Sequence, residues 1–265
     1  MSADAFLELP THRLHYRIDQ QPGSASAPWL LFCNSLGTDL HMWDPQASEL
    51  ARHFRVLRYD RRGHGQSTTP PAPYALSDLG GDVLMLLDAL DIARTHFCGL
   101  SIGGLCGQWL GVHAGDRFDK IALCATAAKI GTADGWNERI AAVKANGLAS
   151  LSAATAERWF TPTFNAAHAD LTGHILDTFT QVDPEGYAGC CAALGGADLR
   201  QEIGAISSPV LALSGHDDAV CPPSDLQYIA DTVQTGRHIS LPGRHIFNLE
   251  SAPAFNAALI AFLNS

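Results

Sequence analysis

One serine in this chain is ringed by glycines more closely than ordinary packing demands. Residues 97–105 read FCGLSIGGL, with Gly99, Gly103 and Gly104 around Ser101 just after an apolar run. A strand that turns at once into a helix makes a sharp corner, and only small neighbours let the two elements pass closely. The pattern Gly99-x-Ser101-x-Gly103 fits such a corner, a nucleophile elbow, which lifts a serine hydroxyl above the carboxyl end of a strand. The same corner sets Ser101 at a helix N-terminus, where free N–H groups and the helix dipole favour developing negative charge.

A nucleophilic serine needs a base, and the base needs an orienting group. Of twelve histidines, His245 in LPGRHIFNLE stands out, because it follows a β-like run and a Pro-Gly turn. The segment LALSGHDDAVCPPS offers two acids just after another β-like run, Asp217 and Asp218. Serine, acid and histidine in that chain order, each behind a strand, would meet at one rim of a parallel sheet. That is where open sheets of this kind bind ligands.

The elements able to position these groups are legible in the apolar pattern. RLHYRID (13–19) alternates as a half-exposed strand does, whereas WLLFCN (29–34) is continuously apolar, as a buried parallel strand is. FRVLRYD (54–60), THFCGLS (95–101), FDKIALCAT (118–126), PVLALSG (209–215) and RHISLPG (237–243) read as further strands. Helical spacing marks residues 76–90, where Leu79, Val83, Leu86, Leu87 and Leu90 share a face, the stretch from the elbow through Trp109, and residues 252–263. Strand–helix alternation of this kind predicts an α/β fold: a mostly parallel central sheet flanked by helices. Between Lys129 and Leu194 the chain is Ala-rich, helical in period and without a strand-like run. The expected organisation is therefore a core of residues 1–128 and 195–265 with a helical cap, or lid, inserted at 129–194.

Bulk properties narrow the partners. The chain has 265 residues, 46% hydrophobic and 17% charged, with a formal net charge of −10. Acidity without a Lys/Arg cluster argues against nucleic acid and anionic membranes, though a pocket can oppose the net charge locally. MSADAFLELP carries no basic segment leading into an apolar one, and runs such as VLMLL (83–87) fall far short of a bilayer span. A cytoplasmic location is expected. Seven cysteines with no CxxC pair, mostly within apolar runs, predict buried reduced thiols. The sequence has no HExxH or clustered ligand set, so no metal and no organic cofactor is expected.

With these residues in view, the chain resembles the α/β-hydrolase superfamily along nearly its whole length. YDRRGHGQS (59–67) is similar to that family's D-x-R-G-x-G-x-S loop, carried here by Asp60, Arg62, Gly63, His64, Gly65 and Ser67. SGHDDAVCPP is similar to its G-x-x-D-x-x-x-P. With Gly215 and Pro222 fixed, the acid falls on Asp218, and Asp217 becomes a solvated neighbour. One departure is specific. Where most of the family has His-Gly, this chain has Asn34-Ser35, in CNSLGTDLHMWDPQ (33–46). That segment, with residues 129–147, PEGYAGCCAAL and the DDAVCPP loop, resembles the 3-oxoadipate enol-lactonase branch.

The resemblance implies a serine hydrolase that opens a small-molecule enol-lactone, with Ser101 as nucleophile, His245 as base and Asp218 as its orienting acid. It implies that the backbone N–H groups of Leu36 and Ile102 receive the oxyanion. Trp43 and Trp136 are candidate walls of an apolar pocket. Lys129, Arg139, Lys144 and Arg158 are candidate partners for a substrate carboxylate. Of these, Arg139 is preferred because it lies one helical turn from Trp136, and the others read as solvated surface charges. Rival chemistries on the same triad are a carboxylesterase, a C–C bond hydrolase or a cofactor-free haloperoxidase. A small-molecule receptor on the same fold is expected to lack a triad member.

Overall fold

The apolar runs of the sequence assemble into one sheet whose central strands are buried on both faces. The computed structural model describes residues 4–24 and 26–265. Eight strands run β1 (Asp4–Glu8), β2 (Arg13–Asp19), β3 (Trp29–Cys33), β4 (Arg55–Tyr59), β5 (Thr95–Leu100), β6 (Phe118–Cys124), β7 (Val210–Gly215) and β8 (Gly236–Leu241). Their order across the sheet is β1-β2-β4-β3-β5-β6-β7-β8. β1 and β2 pair antiparallel, β2 pairs antiparallel with β4, and β3 through β8 are mutually parallel. β5 and β7 are buried at every residue, which accounts for their unbroken apolar character in the sequence.

Eleven α-helices complete the chain among the described residues. The first three are α1 (Asp44–Leu50), α2 (Leu76–Ala89) and α3 (Ile102–His113). Between β6 and β7 lie α4 (Ala133–Asn146), α5 (Ser152–Trp159), α6 (Pro162–Ala167), α7 (Ala169–Gln181) and α8 (Pro184–Gly196). The last three are α9 (Pro223–Thr232), α10 (Phe247–Glu250) and α11 (Ala252–Leu263). The five helices between β6 and β7 match the strandless Ala-rich block of the sequence. All seven cysteines are buried and free.

The chain leaves β3 toward β4 on one side and leaves β5 toward β6 on the other. This reversal opens a crevice at the carboxyl ends of β3 and β5, the place where doubly wound sheets accept ligands. Leu36 and Ser101 lie just beyond those two strand ends.

Several elements escaped the sequence reading, among them β1, α1 and the helices α9 and α10 that follow β7 and β8. β1 is an edge strand with a mixed burial pattern, and it is held to β2 by backbone pairing from Asp4↔Arg17 to Glu8↔Arg13. α1 follows directly on the loop after β3, and Pro at its first turn pre-sets the helical φ there.

Candidate active site

Ser101 sits at φ 60°, ψ −120°, between the last residue of β5 and the first of α3. A side chain costs about 1–3 kcal/mol in such a region, so the surroundings must enforce it. They do so through hydrogen bonds on both sides of the residue. Its N–H donates to the Cys124 carbonyl at 2.9 Å, and its carbonyl accepts the Thr126 hydroxyl at 2.8 Å and the Leu105 N–H at 2.9 Å. The flanking glycines are sterically required. A Cβ on Gly103 would stand 2.2 Å from the Cys33 carbonyl oxygen, and one on Gly99 would stand 2.3 Å from the Gly103 carbonyl oxygen. β3, β5 and α3 could not approach this closely with any larger residue.

His245 follows β8 through a Pro-Gly turn, as its sequence context suggested. Its Nδ1 lies 2.9 Å from Asp218 Oδ2, and both side chains are about 3% exposed or less. The other oxygen of Asp218 accepts the N–H groups of Val220 at 2.8 Å and Cys221 at 3.1 Å. A carboxylate held at both oxygens cannot rotate away from the imidazole. Asp217 points into solvent. The structure records no Ser101–His245 hydrogen bond, but the two side chains face one cavity. Such contacts are often loose before substrate binds.

Leu36 also lines that cavity. Its N–H, like that of Ile102 at the first position of α3, has no hydrogen-bond acceptor among the described residues. The loop carrying Leu36 is braced from beneath by residues 58–67. Arg61 donates to the carbonyls of Asn34 at 2.6 Å and Ser35 at 3.2 Å. His64 Nε2 accepts the Gly37 N–H at 3.0 Å, and Asp60 accepts the Leu40 N–H at 2.7 Å. Burial, with the Arg61 charge next in weight, brings the His64 pKa down to about 3. Its Nε2 therefore stays unprotonated and able to accept. Arg62 turns away to a paired contact with buried Asp82, at 2.6 and 2.7 Å.

Helices α4, α5, α7 and α8 supply the far wall: Trp136, Arg139, Thr155, Arg158, Trp159, Phe179, Tyr187 and Leu194. The lining holds two guanidiniums and no carboxylate. Burial first, and then the neighbouring Arg139 charge, pull the Arg158 pKa below its ordinary value. Burial pushes the Tyr187 hydroxyl well up, so it stays protonated as a potential donor beside Arg139.

Several sequence expectations for the pocket change here. Trp43 is not a pocket wall. It is fully buried, stacked on Phe32 at a centroid distance of 4.5 Å, and its Nε1 donates to Asn34 Oδ1 at 3.0 Å. An indole needs both apolar cover and an acceptor, and the loop after β3 supplies both. Asn34 therefore serves as a structural link in this loop. Arg158 is not a solvated surface charge, since it reaches the cavity alongside Arg139. Lys129 and Lys144 stay outside, paired with Asp198 at 3.1 Å and Glu185 at 3.4 Å. Arg158 was a candidate that the sequence read as solvated, and Arg61, which braces the loop after β3, was not singled out at all. Arg158 sits one position before Trp159 on a short helix, and only the packing direction of that helix brings it inward.

The match to the alpha/beta hydrolase fold family spans residues 28–252, and the chain belongs to that family. It is 42% identical over 241 residues to 3-oxoadipate enol-lactonase 2 of Acinetobacter baylyi, covering 91% of this chain and 90% of that one. Against 3-oxoadipate enol-lactonase 1 of the same organism the identity is 41% over 243 residues, covering 92% and 91%. The crystal structure of the enol-lactonase from Burkholderia xenovorans LB400 superposes with a TM-score of 0.96 at 42% identity, covering 98% of this chain and all of that one. Among the described residues no helix is long and apolar enough to cross a membrane, and no group of His, Cys, Asp and Glu is arranged to hold a metal ion.

Proposed function

We propose that the protein is a serine hydrolase that opens the ring of 3-oxoadipate enol-lactone to give 3-oxoadipate, within the bacterial breakdown of aromatic acids. The observation that carries this reading is one cavity in which the hydroxyl of Ser101 and the imidazole of His245 face two guanidiniums and no acid. The curated relatives bear that activity in their names. A lactone bearing an acetate arm has what such a cavity asks for, an acyl carbon for the hydroxyl and a carboxylate for Arg139 and Arg158.

In the proposed mechanism His245 takes the Ser101 proton as Oγ attacks the lactone carbonyl, while Asp218 holds Nδ1–H and stabilises the imidazolium. The N–H groups of Leu36 and Ile102 receive the oxyanion, and the loss of one such donor typically costs about 3–4 kcal/mol. Collapse breaks the acyl C–O bond of the ring and releases an enolate oxygen still tethered to the acyl group. His245 returns the proton, and the enol tautomerises to a ketone. Water activated by His245 then cleaves the acyl-serine. His245 handles the protons of acyl transfer, the enol exchanges its proton with water as it tautomerises, and the chemistry needs no cofactor. Residues 129–194 act as a cap over a core of 1–128 and 195–265, supplying recognition while the core supplies the reacting groups.

The test follows enol-lactone disappearance by ultraviolet absorbance, with Ser101→Ala as control. An aryl acetate and a vinylogous ring-cleavage diketone are run beside it. Turnover of the lactone well above both, abolished in Ser101→Ala, is the expected result. Much faster turnover of the ester or the diketone would replace the specific substrate with an esterase or C–C hydrolase reading. Failure of a fluorophosphonate probe to label Ser101 would favour a receptor.

A further inference from the structure

Arg61 is about 3% exposed and has no ion pair with a carboxylate among the described residues. A guanidinium is rarely buried without an acid, because desolvating the charge costs several kcal/mol. The groups it does reach are two successive carbonyls of the loop after β3. Nη2 donates to Asn34 O at 2.6 Å and Nη1 to Ser35 O at 3.2 Å, and Nη2 also lies 3.5 Å from Cys33 Sγ. The Thr38 hydroxyl shares the Ser35 carbonyl at 3.0 Å.

The Ser35 carbonyl and the Leu36 N–H belong to one peptide unit. That unit is trans, so its C=O and N–H point in opposite directions. Fixing the oxygen on the Arg61 side therefore fixes the hydrogen on the cavity side. A cation on the carbonyl end also polarises the peptide, and hydrogen bonds in series strengthen one another where the dielectric is low. We infer that Arg61 is a positioning residue of the oxyanion site: its fork on the Asn34 and Ser35 carbonyls aims and polarises the Leu36 N–H. This rests on the serine-hydrolase reading above. It adds a residue that touches no substrate and acts only through a peptide plane.

The test compares Arg61→Met and Arg61→Lys with the unaltered enzyme. The readouts are kcat, KM, thermal stability, affinity for adipate, and affinity for a trifluoromethyl ketone, which forms an oxyanion on the serine. Lysine keeps a charge but loses the fork. Arg61→Met is expected to lower kcat about 30- to 100-fold, toward the loss seen when an oxyanion donor is removed outright. Arg61→Lys is expected to fall between it and the unaltered enzyme. KM and adipate affinity should stay within about threefold in both, while ketone affinity falls in step with kcat/KM, because binding without an oxyanion does not use this donor.

Unchanged kcat in folded Arg61→Met overturns the inference, and so does an equal loss of adipate and ketone affinity. Should Arg61→Met fail to fold, Arg61→Lys carries the same comparison. If neither folds, Arg61 is a structural brace and the inference falls. An unaltered enzyme that hydrolyses neither lactone nor ester and resists fluorophosphonate sinks the underlying hydrolase reading as well. Activity in the parent with insensitivity at Arg61 sinks this inference alone.

Discussion

The backbone N–H of His245 donates to the carbonyl of Arg158, 3.4 Å away. The next residue repeats the contact, with Ile246 N–H on the Trp159 carbonyl at 3.2 Å, and the Arg244 guanidinium reaches the Phe160 carbonyl at 3.2 Å. These carbonyls belong to the last turn of α5, whose oxygens have no partner within the helix. The loop bearing the proposed base thus caps the helix bearing a guanidinium of the pocket. Glu250 closes the seam by accepting both Arg244 N–H and Thr161 N–H.

Arg158→Met and Arg139→Met should each raise KM for the carboxylate-bearing lactone about ten- to hundredfold, since a hydrogen bond to a charged group is worth about 1.5–3 kcal/mol. A neutral aryl acetate should show little change in KM with either variant. Steady-state kinetics on both substrates decide the matter, and equal losses on the two would show that the arginines do not read the carboxylate.

Asp218→Asn should lower kcat by about 10⁴, because an amide leaves the imidazole in the wrong tautomer. Asp217→Asn, altering an exposed neighbour, should stay within about twofold of the parent. Turnover measurements on the pair test the assignment of the acid, and a large loss in Asp217→Asn would reverse it.

His15 should make stability depend on pH. Burial alone would push its imidazole down, but the carboxylates of Asp60 at 2.7 Å and Asp4 at 3.3 Å outweigh it, and its pKa lies above 6.5 in the folded chain. The fold therefore prefers the protonated form. The stabilisation is complete below about pH 6.5 and is lost as pH rises through the raised folded pKa. Urea unfolding of the parent and His15→Gln at pH 6 and pH 9 should show a gap that narrows at the higher pH. A gap that widens would refute the assignment.

Gly103→Ala should destabilise by about 1–3 kcal/mol and depress turnover, because the added methyl group meets backbone oxygens of Cys33 and Asn34 that cannot yield without moving the elbow. Gly81→Ala, in the interior of α2 with open space around its Cβ position, should instead stabilise by about 0.5–1 kcal/mol. Thermal melts of the two variants give opposite shifts if packing at the elbow is as tight as described.

The parts of this molecule that are local in the chain were legible before any coordinates. Each candidate reacting group follows an apolar run, so Ser101, Asp218 and His245 could be placed beyond strands without tertiary information. β2 begins and ends where its alternation does, at Arg13 and Asp19, and α11 runs from Ala252 to Leu263 as its spacing indicated. What stayed hidden depends on which way an element faces. Trp43 and Trp136 look alike as sequence features. The first fills the space beneath a loop, while the second reaches the cavity with its Nε1 on the Ile130 carbonyl at 2.6 Å. Arg139 and Arg158 lie on separate helices, and only the packing of α4 against α8 and of α5 against α7 turns both inward. Arg61 left no trace in the pattern, since its partners are main-chain oxygens that carry no sequence signal.

All eight cavity residues contributed by the helices come from the single stretch that leaves the sheet after β6 and rejoins it at β7. On the proposed function, selectivity is thereby concentrated in one exchangeable cassette, and the proposed reacting groups are encoded elsewhere. A chimera carrying that stretch from a relative would inherit the donor's preferences only if residues 158–160 still offered their oxygens to the histidine loop, so evolution is free to rewrite the roof but not its hem.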